Sequence, residues 1–245
     1  METNNPKNLD SKRIEREYVP EYGEVVWMNF FPQAGHEHTC HRPAVVLSPA
    51  AYNGKVGLAL LSPITSKFKG YPFEVPLPAG LAVHGVILAD QVKSFDWRAR
   101  QAKHFTTLPM SVVRKTLMKI NELTTQYSGE ESTASHEYIP ERGDVVWLNF
   151  SPQAGHEQAE RQQAVILSPA TYNGKVSLAL LCPITPRVKG YAFEVPLSTK
   201  LAVNGAILAD QVKSMDWRAR QVEYITTLPR SVVKQVLEKL TAFWD

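Results

Sequence analysis

Cysteine is nearly absent from this chain, and no apolar run approaches the roughly 18–20 residues that a membrane-spanning helix needs. The two cysteines, Cys40 and Cys182, stand at non-equivalent places in the repeat described below, so neither a disulfide framework nor a thiolate metal site is expected. The opening stretch METNNPKNLDSKRIERE has no greasy segment of the kind that follows the charged start of an export signal. A soluble, unexported, cytoplasmic protein is the expectation. Charge of one sign is also in short supply. The 27 Lys and Arg residues against 24 Asp and Glu leave a formal net charge of +3, which permits an anionic partner without demanding one. His36 and His156 recur in both copies of the repeat but have no Cys, Asp or Glu partner at metal-ligand spacing, so zinc is not expected.

What the chain does have is a duplication. Tyr18 and the YVPEYGEVVWMNFFPQAGHE it begins align with Tyr138 and YIPERGDVVWLNFSPQAGHE, and the register holds without a gap to the end. About two thirds of the aligned positions are identical, which points to two domains of one fold, near 18–125 and 138–245. Residues 126–137, QYSGEESTASHE, are polar and without apolar periodicity and read as a linker; residues 1–17 read as a disordered tail. One run of differences falls inside an otherwise closely shared stretch. After the shared QAGHE, His38-Thr39-Cys40-His41-Arg42-Pro43 becomes Gln158-Ala159-Glu160-Arg161-Gln162-Gln163, and then AVVLSP and AVILSP agree again.

Within each copy the apolar pattern predicts short strands closed by Gly, Pro or Asn: GEVVWMNF with a buried face, PAVVLSP, VGLALLSPIT, YPFEVPL and GVILADQVKS. The pattern then changes to SVVRKTLMKINELTT. Val112, Val113, Leu117, Ile120 and Leu123 recur there at helical spacing, and Ser111 is a candidate N-cap. Five or so antiparallel strands with one C-terminal helix imply a small barrel-like sheet in each copy, a mainly β (α+β) fold class.

YVPEYGEVVWMNFFPQAGHEHTCHRPAVVLSP, with PITSKFKGYPFEV and GVILADQVKSFDWRAR, resembles the MazF/PemK family of toxin endoribonucleases over nearly all of both copies. The resemblance implies tandem SH3-like barrels of the MazF/PemK/CcdB type. It also implies cleavage of single-stranded RNA at short sequences without metal or other cofactor, and inhibition by a cognate MazE-like antitoxin whose tail lies along the dimer groove. The family is homodimeric, so a fused tandem is expected to form its dimer within one chain.

The family's reaction centre is an Arg in Glu-x-x-x-His-Arg-Pro and a Thr in Pro-x-Thr. The resemblance places these at Arg42, in Glu37 to Pro43, and at Thr65, in Pro63-Ile64-Thr65. In the second copy Glu157 and Thr185 are kept, but Gln162 stands where the arginine should be. Arg161 is one residue early, and such an offset in an extended segment turns a side chain to the opposite face. Metal-free cleavage sends the ribose 2′-OH against phosphorus. A permanently charged guanidinium suits the pentacovalent intermediate better than acid–base exchange, and the Thr65 hydroxyl can donate to the same group. Glu37 and His41 are candidate proton acceptors, or else only hold the loop.

Lys67, Lys69, Lys93, Arg98 and Arg100 are candidate phosphate contacts, and Phe30, Phe31 or Trp27 candidate stacking residues, with Phe150 and Lys189 the second-copy equivalents of Phe30 and Lys69. Each also has a plainer reading, as a solvated lysine or, for Trp27 and Trp97, a core aromatic. Asp90 is expected to brace the sheet. Two other functions compete: a fused relative that binds RNA or antitoxin without cutting, and a gyrase poison of the CcdB type, for which Trp244 near the C-terminus is slight support.

Overall fold

The computed structural model describes residues 18–30, 41–125, 138–150 and 161–243; the expected tail at 1–17 and the linker at 126–137 lie outside them. The first copy runs β1 (Glu24–Asn29), β2 (His41–Val46), α1 (Ala50–Val56), β3 (Leu58–Thr65), β4 (Glu74–Pro76), β5 (Val86–Leu88), a 3-10 turn (Ala89–Gln91), β6 (Lys93–Asp96), β7 (Lys103–Thr107) and α2 (Met110–Thr125). The second repeats it as β8 (Asp144–Asn149), β9 (Arg161–Ile166), α3 (Ala170–Val176), β10 (Leu178–Thr185), β11 (Glu194–Pro196), β12 (Ala206–Leu208), a 3-10 turn (Ala209–Gln211), β13 (Lys213–Asp216), β14 (Glu223–Thr227) and α4 (Arg230–Thr241). The result is mainly β with a C-terminal helix in each copy, as the apolar pattern indicates.

Sequence reading and structure differ in four places, one being the unanticipated edge strand β7 and its counterpart β14. GVILADQVKS is two strands, because the 3-10 turn with buried Asp90 bends the chain from β5 into β6. α1 is an unanticipated helix whose stability is tertiary rather than intrinsic: the Asn53 amide donates to the carbonyls of Pro20 (2.7 Å) and Ser48 (3.0 Å) and accepts from the Ser48 hydroxyl (2.6 Å). No hydrophobic period records that network. Ser111 is not a cap. α2 starts at Met110, and the Pro109 carbonyl receives the Val112 and Val113 N–H groups. The apolar stripe of α2 does face inward, with Val112, Val113, Leu117, Ile120 and Leu123 all buried.

All the strand pairs among the described residues are antiparallel, and the long path through the sheet is β14-β8-β9-β10-β13-β6-β3-β2-β1-β7, with β4–β5 and β11–β12 attached through β3 and β10. This order reads the same from either end, exchanging copies. The sheet is buried on both faces, so β3 carries seven buried residues of eight. One face, with Val25, Leu60, Ile87 and Ile120 of the first copy and Val145, Leu180, Ile207 and Leu240 of the second, belongs to a single core. The other face holds a separate cluster in each copy, Val26, Met28, Ala59, Leu61 and Phe95 being members of the first.

At the middle, β6 meets β13 with Lys93 opposite Lys213; Ser94 N–H donates to Val212 O (2.8 Å) and Ser214 N–H to Val92 O (3.0 Å). Two carboxylates brace the seam reciprocally. Asp90 accepts from Tyr71 of its own copy (2.9 Å) and Tyr172 of the other (2.9 Å), while Asp210 accepts from Tyr191 (2.7 Å) and Tyr52 (3.0 Å). Tyr52 also meets the rings of Phe193 and Phe243 edge-on at 5.6 and 4.7 Å.

Burial pushes the Asp90 carboxyl up from 3.8 to about 6, against the opposing effect of its two tyrosine donors. Between those values the folded state holds more protons than the unfolded one, so this contribution to stability is present below about pH 4 and lost as pH rises through about 6. Asp90→Asn removes the titration and keeps an acceptor for tyrosine. Relative to the parent, the variant should gain about 3 kcal/mol between pH 4 and pH 7 in urea unfolding. A constant difference across that range would refute the assignment.

Candidate active site

Strand register sets the geometry of the site. β2 and β3 pair as Val46↔Leu61, Val45↔Ser62 and Ala44↔Pro63. The ladder ends there in both copies, at Ala44↔Pro63 and Ala164↔Pro183, and β3 turns to pair with β5 instead, Thr65 opposite Val86. Two residues beyond the last pair in the same register stand Arg42 and Thr65. Alternation puts both on the face of Ala44, Val46 and Leu61, and both are half-buried. The second copy has the same register, Pro183↔Ala164, which sets Gln162 level with Thr185. A neutral amide replaces a fixed positive charge.

Arg161 points the other way. Its guanidinium pairs with Glu223 and lies 6.0 Å from the Trp147 ring, on the face opposite Gln162. His41 behaves alike: it is exposed and stacks on Trp27 at 5.3 Å and 14°, on the face away from Arg42 and Thr65. The strand alternation that brings Arg42 to the site takes His41 from it, which corrects the expectation that His41 stands among the proton acceptors. Glu37, Glu157, Phe31, His36, His156 and Trp244 lie outside the described residues. Among the described residues no group of three or more His, Cys, Asp or Glu is placed to hold a metal ion.

Four expected RNA contacts, Phe30, Phe150, Lys93 and Arg100, are buried rather than solvent-facing. Phe30 is 2% exposed and meets Phe95 edge-on at 5.1 Å, and Phe150 is fully buried, because each continues the inward alternation of its strand. Lys93 is 7% exposed at the seam between copies, not on a solvated face; its counterpart Lys213 donates to Ser94 O (2.8 Å). Arg100 is buried too, donating to Asn29 O (3.0 Å) with its guanidinium 4.4 Å above Phe95. Arg98 is exposed and lies 4.1 Å over Trp97, a core aromatic whose indole donates to Asn53 O (3.0 Å).

Lys67 and Lys69 are exposed, on the loop that leaves β3 at Thr65, and Lys189 is exposed in the matching loop. Thr65 Oγ1 accepts from Lys67 N–H (3.2 Å), and the buried Glu74 carboxylate accepts from Lys69 N–H (3.0 and 3.1 Å) and Gly70 N–H (2.7 Å). Sequence reasoning missed Phe68 between the lysines, which is 66% exposed. The sequence difference was present: Ser66-Lys67-Phe68 becomes Pro186-Arg187-Val188, one of several short runs in which the copies differ.

The fold and site define a tandem of two small, mainly β domains, each presenting a threonine at the end of its longest strand. A profile described as PemK-like, MazF-like toxin of type II toxin-antitoxin system matches residues 21–124 and again 141–244, and the chain belongs to that family in duplicated form. The endoribonuclease toxin MazF of Escherichia coli K12 is 50% identical over 106 residues, covering 43% of this chain and 95% of its own. The endoribonuclease toxin ChpB of the same strain is 40% identical over 105 residues, 41% of this chain and 90% of its own. Among solved structures, MazF (Form-I) from Deinococcus radiodurans is 54% identical and covers 44% of this chain and 97% of its own, with a TM-score of 0.43.

Gly85 keeps Thr65 in place. Its φ is +112°, and a Cβ there would stand 2.1 Å from the Thr65 carbonyl oxygen, backbone that cannot yield without moving the end of β3. Gly85→Ala should cost about 2–4 kcal/mol in urea unfolding. A loss under about 0.5 kcal/mol would show that β3 and β5 can separate freely.

Proposed function

We propose that this chain is a metal-independent endoribonuclease toxin that cuts single-stranded RNA at short sequences, acting as an intrachain pseudo-dimer whose first copy carries the main active site. The observation that carries the reading is the β2–β3 register, which ends at Ala44↔Pro63 with Arg42 and Thr65 just beyond it, against Gln162 and Thr185 just beyond Ala164↔Pro183. Membership of the family and the endoribonuclease relatives support the reaction class.

In the reaction the ribose 2′-oxygen loses its proton and attacks the adjacent phosphorus, and the 5′-oxygen departs and takes up a proton. The products are a 2′,3′-cyclic phosphate and a 5′-hydroxyl. Arg42 remains protonated and places fixed donors on the phosphorane oxygens, while the Thr65 hydroxyl donates beside it. Glu37 is the remaining candidate acceptor for the 2′-OH proton, with His41 turned to the other face. Among the exposed cations of the first copy, Arg98, Lys67 and Lys69 would follow the RNA backbone.

In the second copy Gln162 can hydrogen-bond a phosphate but cannot neutralise it, so that half binds better than it cuts. The shared core and the reciprocal Tyr–Asp bonds support pairing within one chain, at an effective concentration of about millimolar across a short linker. As a type II toxin, the protein would be held inactive by a MazE-like antitoxin along the groove between the copies.

Arg42→Ala should lower cleavage of single-stranded RNA by about 100-fold or more with unchanged unfolding behaviour. Adding Gln162→Arg to that variant should return part of the activity from the second centre. Undiminished cleavage by Arg42→Ala would sink the assignment. In solution the mass should be that of one chain, 27.5 kDa, and independent of concentration. A doubling on concentration would move the pairing between chains.

A further inference from the structure

An aromatic ring exposed at a loop tip gains little from folding, because most of its apolar surface stays in water. Phe68 is such a ring, and its loop is held firmly. Thr65 Oγ1 fixes the backbone at Lys67, and the buried Glu74 carboxylate fixes it at Lys69 and Gly70 through charge-assisted bonds. The edge of the ring lies toward Gly70, with its Cε1 and Cζ 3.9 and 4.0 Å from where a Cβ on that residue would stand. On either side of Phe68 are the exposed Lys67 and Lys69.

The second copy keeps the frame and changes the tip. Thr185 Oγ1 accepts from Arg187 N–H (3.2 Å), and Glu194 accepts from Lys189 N–H (3.0 Å), as in the first copy. Between them stands Val188, 53% exposed. Both flanking positions remain basic, while the ring is lost and Ser66 becomes Pro186. The ring is present in the copy that has Arg42 and absent from the copy that has Gln162. A purely electrostatic contact with RNA would be served equally by either loop. An aromatic face between two cations, three residues from the site threonine, fits a base held between two phosphates.

We propose that Phe68 is the platform on which a base flanking the scissile phosphate stacks, with Lys67 and Lys69 on the neighbouring phosphates, so that the 66–70 loop determines specificity in the first copy alone. This rests on the ribonuclease reading above. Stacking tolerates every base but favours those with larger faces, so the loop selects by stacking strength as well as by shape.

The test uses the full chain carrying Arg42→Ala, titrated with single-stranded RNA of about a dozen nucleotides in which 2-aminopurine is placed at successive positions. At one position the fluorescence should be quenched on binding. Phe68→Ala should abolish that quench and weaken binding about 5- to 100-fold, Phe68→Trp should restore both, and Val188→Ala should change neither. With Arg42 intact, Phe68→Ala should lower kcat/KM by a similar factor and redistribute the cuts on a long RNA. Lys67→Ala should reduce the salt slope of binding by about one. Unchanged quenching and affinity in Phe68→Ala, failure of Phe68→Trp to restore them, or an equal loss in Val188→Ala would each overturn the proposal. If the Arg42 chain does not cleave RNA at all, the ribonuclease reading fails by itself, and the titration still decides whether the ring stacks on a base.

Discussion

The structure depends on a single apolar layer that belongs to neither copy alone. Val25, Leu60 and Ile120 lie in the same core as Val145, Leu180 and Leu240, and Tyr172 packs against Phe73 across the copies at 5.5 Å. Burying such a layer is the main favourable term for a small sheet covered on both faces. The seam then places polar groups where water is excluded. Asp90 and Asp210 are tolerable there because each carboxylate has two tyrosine donors, one from each side.

Duplication allows such a pair to diverge, because a change in one copy is no longer imposed on the other. The described differences between the copies follow that logic. Tyr52, Asp90, Tyr172 and Asp210, which hold the seam, are the same residues in both copies. The beginning of β2 differs, His41-Arg42-Pro43 against Arg161-Gln162-Gln163, and so does the loop after β3, Ser66-Lys67-Phe68 against Pro186-Arg187-Val188. Both segments lie at one end of the sheet, around the site threonine. The edge strands differ as well, β7 having Lys103 and His104 where β14 has Glu223 and Tyr224. The buried positions that differ exchange one small or apolar side chain for another, as Phe95 with Met215 and Ser62 with Cys182, so the cores keep their apolar character.

Much of this was legible before any coordinates. The duplication, the mainly β class and the inward face of α2 follow from periodicity, since apolar residues every second or every third to fourth position have one economical burial. The outward turn of Arg161 followed from the same alternation. The same rule holds for its neighbour in the first copy: His41 stands one residue from Arg42, and a strand cannot aim both at one phosphate. Phe30 and Lys93 were misjudged for a different reason. An aromatic at a strand end and a lysine in a polar motif look exposed from sequence, and only the second layer of protein over them makes them interior.

By itself, then, the sequence determined which residues repeat, which alternate, and where the chemistry of one copy departs from that of the other, because these are properties of order along a chain. Tertiary structure decided what lies opposite what. The approach of Arg42 and Thr65 at the end of the β2–β3 ladder, the two-sided bracing of Asp90 and the anchoring of the Phe68 loop to Thr65 and Glu74 each join segments that are apart in sequence. Those are distances in space, and no local pattern of residues encodes them.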